Sequence, residues 1–414
     1  MSIRVVIVGA GHAGGRLAEY LVNASDRFDV TLIGTEPVNP YERPPLSKNV
    51  LLGKADLDSC LLWKHTATAD RMNLKLSTTV EKIYRDEKRV HLSDGSSVAY
   101  DYLVLATGSE VRNFSVPGDH YEGVMSLRSI ADAMSVSDLF LATKNILVVG
   151  AGFIGLEVAS IAAQRNVAPV VVEASGRPLA RLVPEVIAKR IARMHDASKV
   201  TFRFGVMVER FLSDGRGNIQ RAILSSGEEV TCDLAVIAVG VKPVVALAKE
   251  AELKVNVGVE TDQQLRTSDP SIFAIGDIAS FYHPLYKQHI RLESWQNAED
   301  HAKIVAGVLQ DQQAETVSVP FFWSDQYDKS LQILGLPHLG SSIRVKKKTT
   351  EYAILLHYDS LDRIVGATAF GVAENIGREL RQTRKLIASK TVYNPDDFGG
   401  EHLETLSDWS NQEI

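Results

Sequence analysis

At 414 residues, with 45% apolar and 23% charged side chains, the chain has the composition of a globular protein with two or three domains and sizeable cores. Its formal charge of -6 sits at one end: six acids (Asp396, Asp397, Glu401, Glu404, Asp408, Glu413) and no Lys or Arg lie beyond residue 394, leaving 45 acids against 45 bases before it, so net charge gives no sign of a nucleic-acid partner. The two cysteines, Cys60 and Cys232, lack a CxxC spacing, which argues against a disulfide framework, an iron-sulfur cluster or a sequence-adjacent redox dithiol. The histidines show no ligand spacing, no apolar run reaches the length of a membrane span, and Met1 runs almost directly into an apolar strand; the expectation is a cytoplasmic protein without metal or leader.

In chain order, the first element is a strand that ends in a glycine-rich turn, Gly9-Ala-Gly-His-Ala-Gly14, and opens a helix. The pattern returns about 140 residues later as Gly150-Ala-Gly-Phe-Ile-Gly155. In such a turn the first glycine permits the sharp bend, the second lets backbone approach a pyrophosphate at the helix N-terminus, and the third allows the helix to pack closely on its strand. Two copies in one chain predict two dinucleotide sites. Each is followed by an acid near the distance at which a carboxylate meets a ribose hydroxyl: Glu36, 22 residues beyond Gly14, and Glu173, 18 beyond Gly155. Glu173 would repel a 2′-phosphate, so the second site is expected to prefer NADH. Arg177 and Arg181 follow it, and a cation there would neutralise such a phosphate.

Residues 1 to about 110 read as alternating strand and helix ending in the strand Asp101 to Gly108, which implies a parallel sheet. The unit around the second turn repeats this and ends in a comparable strand, Cys232 to Gly240. Near Ile272–Ile275 an apolar strand meets Gly276-Asp277, where glycine lets backbone lie close to a ligand and aspartate can accept sugar hydroxyls. Residues 292–309 read as helical; from Val317 alternation predicts an antiparallel sheet, followed by a helix at about Ala373–Ser389. The expected fold is α/β: two Rossmann-like dinucleotide-binding domains, glutathione-reductase-like, at 1–112 with 246–316 and at 113–245, plus a C-terminal α+β domain with an antiparallel sheet at 317–414.

With the glycine turns, the ATG strand end (Ala106, Thr107, Gly108), AIGD (Ala274–Asp277), PYERPPLSK (Pro40–Lys48), GLE (Gly155–Glu157), LESWQNA (Leu292–Ala298) and FWSDQY (Phe322–Tyr327), the chain resembles the two-dinucleotide-binding flavoproteins. Within them it looks like the bacterial NADH-dependent ferredoxin reductases, the putidaredoxin-reductase-like proteins that serve Rieske oxygenases and cytochromes P450. The resemblance implies FAD in the first site and NADH in the second. For FAD it implies Gly9, Gly11, Ala13 and Gly14 at the pyrophosphate, Glu36 at the adenosine ribose and Val80 at the adenine. Arg43 and Arg128 would meet phosphates or ribityl oxygens, Gly276 and Asp277 the ribityl chain, and Trp295 the isoalloxazine, with Ala106, Thr107, Gly108, Lys48 and Trp323 nearby. Where relatives often carry an acid after Gly34 this chain has Thr35, leaving the ribose contact to Glu36, Thr35 or backbone. For NAD it implies Gly150, Gly152, Phe153, Ile154, Gly155, Glu157, Glu173, Arg181 and Gly240.

The same resemblance places Lys48 beside the reactive flavin edge, paired with Glu157, as the catalytic pair: the cation favours electron-rich flavin, and the carboxylate offsets the cost of burying it. Hydride would pass from nicotinamide to flavin, and without a dithiol motif the electrons would leave singly to an external [2Fe-2S] ferredoxin. Trp323 would line that path or seal the flavin from water. Arg378, Arg381, Arg384 and Lys385 are spaced to share a helix face suited to an acidic ferredoxin, with Lys346–Lys348 as a second candidate or a solvated sheet edge. Rubredoxin reductase, NADH oxidase or peroxidase and NADH-sensing flavoprotein are the alternatives; the oxidase or peroxidase is disfavoured because the YERPPLSK segment holds no cysteine.

Overall fold

The structure, a computed structural model, describes residues 2–63, 66–314 and 318–390, together with 392, 401–402, 406 and 409; of the C-terminal acids only Glu401 falls among them. The chain divides into two units, one of residues 1–43, 56–110 and 241–320, the other of 44–55, 111–240 and 321–414.

In the first unit, five parallel strands lie in the order Ile272–Ala274, Tyr102–Leu105, Ile3–Val8, Phe28–Ile33, Asn73–Lys75. The strand that carries the first glycine turn is central and fully apolar on its inner run, with Val5, Val6 and Ile7 at most 1% exposed. Chain order reverses beside it, which makes the carboxyl ends of this strand and Tyr102–Leu105 the topological switch point where open parallel sheets bind ligands. The helix His12–Ala24 follows the turn, burying Leu17, Ala18, Leu21 and Val22, and packs beside the helix Trp295–Leu309. A small antiparallel sheet, Val80–Tyr84, Arg89–Leu92 and Ser97–Ala99, joins the same core.

The second unit repeats the arrangement. Its parallel sheet runs Thr201–Phe204, Ala168–Glu173, Asn145–Val149, Leu234–Ile237, Val124–Ser126, again with the glycine-turn strand between its successor and the late strand. The helix Phe153–Gln164 is buried on most of its surface, as an interior helix must be to carry so few polar groups. The same unit holds the antiparallel sheet expected at the C-terminal end: Phe321–Gln326, Lys329–Gly335, Ile364–Gly371, Ala353–Tyr358, Ser342–Lys348, Glu401–His402. The helix Ala373–Ser389 packs on it through Ile376, Leu380, Thr383 and Ile387, one stripe at helical spacing. Among the described residues no helix is long and apolar enough to cross a membrane, and no cluster of His, Cys, Asp and Glu could hold a metal ion.

Candidate dinucleotide sites and the buried Lys48–Glu157 pair

The two glycine turns are built to the same plan. A Cβ on Gly9 would lie 2.2 Å from the carbonyl oxygen of Ala106, and one on Gly150 would lie 2.5 Å from that of Ala238, so in each sheet the turn presses against the neighbouring strand end. A Cβ on Gly14 or Gly155 would sit 2.0 Å from the carbonyl oxygen of Gly9 or Gly150, which closes helix onto strand. Gly11 and Gly152, by contrast, face open space, with nothing within 4 Å of a Cβ. Each is the N-cap of its helix and neither helix has a side-chain cap. The helices starting at Ile130 and Trp295 are capped, by Ser129 with Asp132 and by Ser294. Bare amides at the positive end of a helix, with room before them, fit a pyrophosphate, so both turns fit the nucleotides that the motifs imply.

Around the first turn, Gly276 (φ +72°) brings its Cα within reach of Ala13, a Cβ there falling 3.1 Å from that of Ala13, and its N–H donates to His301 Nδ1 at 3.1 Å. His301 is fully buried and its pKa falls to about 3 because burial disfavours the charged ring, so it accepts as a neutral imidazole. Asn297 Nδ2 donates to the carbonyls of Gly276 and Leu292, and Ser109 Oγ donates to Asp277 Oδ2 at 2.6 Å. Glu36 lies three residues past its strand; Tyr41 Oη donates to it at 2.6 Å and Arg43 at 2.8 Å, which brings two of the expected FAD residues onto each other. Thr107 Oγ1 donates to the Val244 carbonyl, Gly108 takes φ +67°, and Val80 is 5% exposed with its side chain in the core. Trp295 meets His12 edge to face at 5.2 Å.

A buried carboxylate in this unit carried no sequence signal. Glu299 accepts from Arg16 Nε at 2.7 Å, from Tyr20 Oη at 3.1 Å, and lies 2.9 Å from His12 Nε2, tying the glycine-turn helix to the helix Trp295–Leu309. These donors overcome burial and hold its pKa at about 2.

Around the second turn, Glu173 closes its strand and accepts from the N–H of Ala151 at 2.9 Å and of Ser175 at 2.7 Å, bracing the turn directly. Arg177 is committed to the carbonyls of Ala180 and Val183, whereas Arg181 is exposed. Ile154 stays 40% exposed on the first turn of its helix beside Phe153, and Gly240 (φ +94°) accepts from Arg112 N–H. Arg128, in the same unit, has its N–H on Asp132.

Lys48 and Glu157 meet: Nζ lies 2.8 Å from Oε1, with Lys48 18% and Glu157 2% exposed. Ser324 Oγ donates to Oε1 at 2.6 Å and Ser47 Oγ to Oε2 at 2.5 Å. Burial pushes the Glu157 pKa up, against the pull of Lys48 and the two hydroxyls. Ser47 and Ser324 lie inside the PLSK and FWSDQY motifs, yet nothing in the sequence marks them as partners of Glu157.

Trp323 stacks on Phe321 at 5.7 Å, and Arg384 covers the Phe321 ring at 5.4 Å. Arg378, Arg381 and Lys385 are exposed while Arg384 is half-buried, so three of the four expected docking cations face solvent. Lys346 and Lys347 pair with Glu379 at 3.1 and 2.9 Å, which neutralises part of the second candidate patch.

Residues 3–302 match the family model for pyridine nucleotide-disulphide oxidoreductases, and residues 321–405 match the reductase C-terminal family. The chain is 36% identical, over 95% of its length and 96% of the relative's, to the anthranilate 1,2-dioxygenase system ferredoxin–NAD(+) reductase component of Burkholderia cepacia. It is 35% identical, over 80% of its length and 86% of the relative's, to a rubredoxin–NAD(+) reductase of Ectopseudomonas oleovorans. It superposes on the reductase of a covalent putidaredoxin reductase–putidaredoxin complex with a TM-score of 0.91 at 30% identity, covering 99% of both chains. With both glycine turns built for nucleotides and similarity running end to end, the chain belongs to the pyridine nucleotide-disulphide oxidoreductase family, among the reductases that use FAD and NAD(H).

Proposed function

We propose that this chain takes reducing equivalents from NADH and delivers them one at a time to a [2Fe-2S] ferredoxin that serves a Rieske oxygenase or a cytochrome P450. FAD, when bound, supplies the exchange between two-electron and one-electron chemistry. The observation that carries the reading is the buried Lys48–Glu157 pair, a fixed charge with a fixed counter-charge in the second unit. Lys48 offers a cation to an electron-rich ring, and Glu157 with Ser47 and Ser324 holds that cation in one place. The first turn, with Gly9, Gly11, Ala13 and Gly14, receives the FAD pyrophosphate; Asp277 and Arg43 take ribityl or phosphate oxygens, and Trp295 borders the ring.

Glu173 supports NADH over NADPH, because its carboxylate stands at the turn where a 2′-phosphate would approach. Both cysteines are buried, and burial pushes the Cys60 thiol up and the Cys232 thiol to about 12, so neither offers a thiolate relay and an external carrier is the simplest exit for electrons. Arg378, Arg381 and Lys385 suit an acidic partner. A reducing cytoplasm, with its NADH, is the compartment in keeping with free buried thiols.

Mixing the NADH-reduced protein with ferredoxin, rubredoxin and oxygen in a stopped-flow instrument tests the reading. Fastest reoxidation by a [2Fe-2S] ferredoxin is expected. Preference for rubredoxin would assign the second activity seen among the relatives, and preference for oxygen would refute electron-carrier reduction.

A further inference from the structure

Glu157 is the end of a longer polar chain that runs inside the second unit. Ser324 Oγ donates to Glu157 Oε1 at 2.6 Å, Gln326 Nε2 donates to Ser324 Oγ at 3.2 Å, and Gln326 Oε1 lies 2.9 Å from His195 Nε2. His195 Nδ1 in turn lies 3.3 Å from Tyr327 Oη, the longest link. Glu157, Ser324, Gln326 and His195 are each at most 2% exposed, so bulk solvent does not reach them and the links between them carry the cost of burying their polar atoms.

The hydrogen count fixes the direction of every link. Ser324 has one hydroxyl hydrogen and gives it to the carboxylate, so it must accept from Gln326. The amide therefore turns its NH₂ to Ser324 and its oxygen to His195, which must then carry its hydrogen on Nε2. Nδ1 is left as an acceptor, and Tyr327 donates to it. Burial pushes the His195 pKa down to about 4, in keeping with a neutral ring that has one donor and one acceptor. All four dipoles thus point their positive ends toward Glu157, and aligned hydrogen bonds polarise one another in the same sense.

We propose that Gln326 and His195 are positioning residues for the Glu157 carboxylate: they form, with Ser324, a one-way chain of donors that holds Glu157 ionised and oriented beside Lys48. The charged and titratable groups facing the chain are Lys48 on Glu157 and Tyr327 on His195; Ser47, Ser324, Gln326 and Ser198, beside Tyr327, are neutral. Alternation along the strand Phe321–Gln326 sends Ser324 and Gln326 inward on one face, while His195 comes from the last turn of the helix Glu185–Ala197. The strand thereby ties the carboxylate, through Ser324 and Gln326, to a helix that begins 30 residues beyond Gly155 of the glycine turn.

The consequence for turnover rests on the role proposed for Lys48 and Glu157, but the test reads the carboxylate itself. In the holoenzyme, infrared difference titration follows the protonated-carboxyl band of Glu157, identified by its loss in Glu157→Gln. Gln326→Met, which keeps side-chain length and removes both links, is expected to raise the midpoint by about 0.5 to 1 pH unit, because a carboxylate that loses donors holds its charge less well. His195→Phe, which removes the donor to Gln326, is expected to move it the same way by less, and it carries the test where Gln326→Met does not fold. A merely structural role would lower the melting temperature and leave the midpoint in place. An unmoved midpoint in a folded, flavin-loaded variant overturns the proposal, whichever electron acceptor the enzyme proves to use.

Discussion

Replacing Glu299 with Gln removes one negative charge from the point where Arg16, Tyr20 and His12 converge, while keeping the volume of the side chain. The carboxylate is 6% exposed and its pKa drops from 4.5 to about 2, so the folded state favours its ionised form. A depressed acid contributes stability that is complete above its unfolded pKa and is lost as pH falls through the folded one. A drop of that size corresponds to at most about 3 kcal/mol at neutral pH, lost between pH 4.5 and about 2. At pH 4.0 about 0.8 kcal/mol of it is already gone, from the same two pKa values. Urea titrations of the FAD-saturated protein at pH 7 and pH 4 should therefore give a wild-type advantage of at most about 3 kcal/mol at pH 7 that narrows by up to about 0.8 kcal/mol on acidification. Because the helix His12–Ala24 begins at the glycine turn, flavin release should accelerate in the same variant. A stability gap that is the same at both pH values would refute the assignment of the effect to this charge.

Lys48→Met should slow flavin reduction by NADH on the order of 10- to 100-fold, or shift the flavin potential, since it leaves Glu157 buried without its cation; stopped-flow traces and redox titration indistinguishable from wild type would remove the pair from the mechanism. Gly14→Ala, whose methyl carbon would fall 2.0 Å from the Gly9 carbonyl oxygen, should cost about 2 kcal/mol or more and release FAD on gel filtration. Arg381→Glu with Lys385→Glu should flatten the salt dependence of ferredoxin reduction and raise the KM for ferredoxin, leaving NADH reduction of the flavin intact; an unchanged salt slope would exclude this helix as the dock.

What the sequence makes legible follows the range of the physics involved. The glycine turns are local: six residues state a backbone that only glycine permits, and the contacts of Gly9 with Ala106 and Gly150 with Ala238 are their direct outcome. The stripe Ile376, Leu380, Thr383, Ile387 is equally local, and the same spacing places Arg384, four past Leu380 and three before Ile387, at the border of the core, where it covers Phe321 instead of joining the solvent-facing cations. The Lys48–Glu157 pair is not local, and only likeness to a family brings its two motifs together. Its hydroxyl donors, and the union of His12 with Glu299 across 287 residues, depend on which faces the sheets and helices turn toward each other, and no spacing rule encodes that. Polar groups of this kind are the costliest to bury and the least visible beforehand, because their stability comes from partners that exist only after folding. A carboxylate such as Glu157, satisfied by three donors drawn from two separate stretches of chain, is accordingly a place where fold and chemistry constrain each other most tightly.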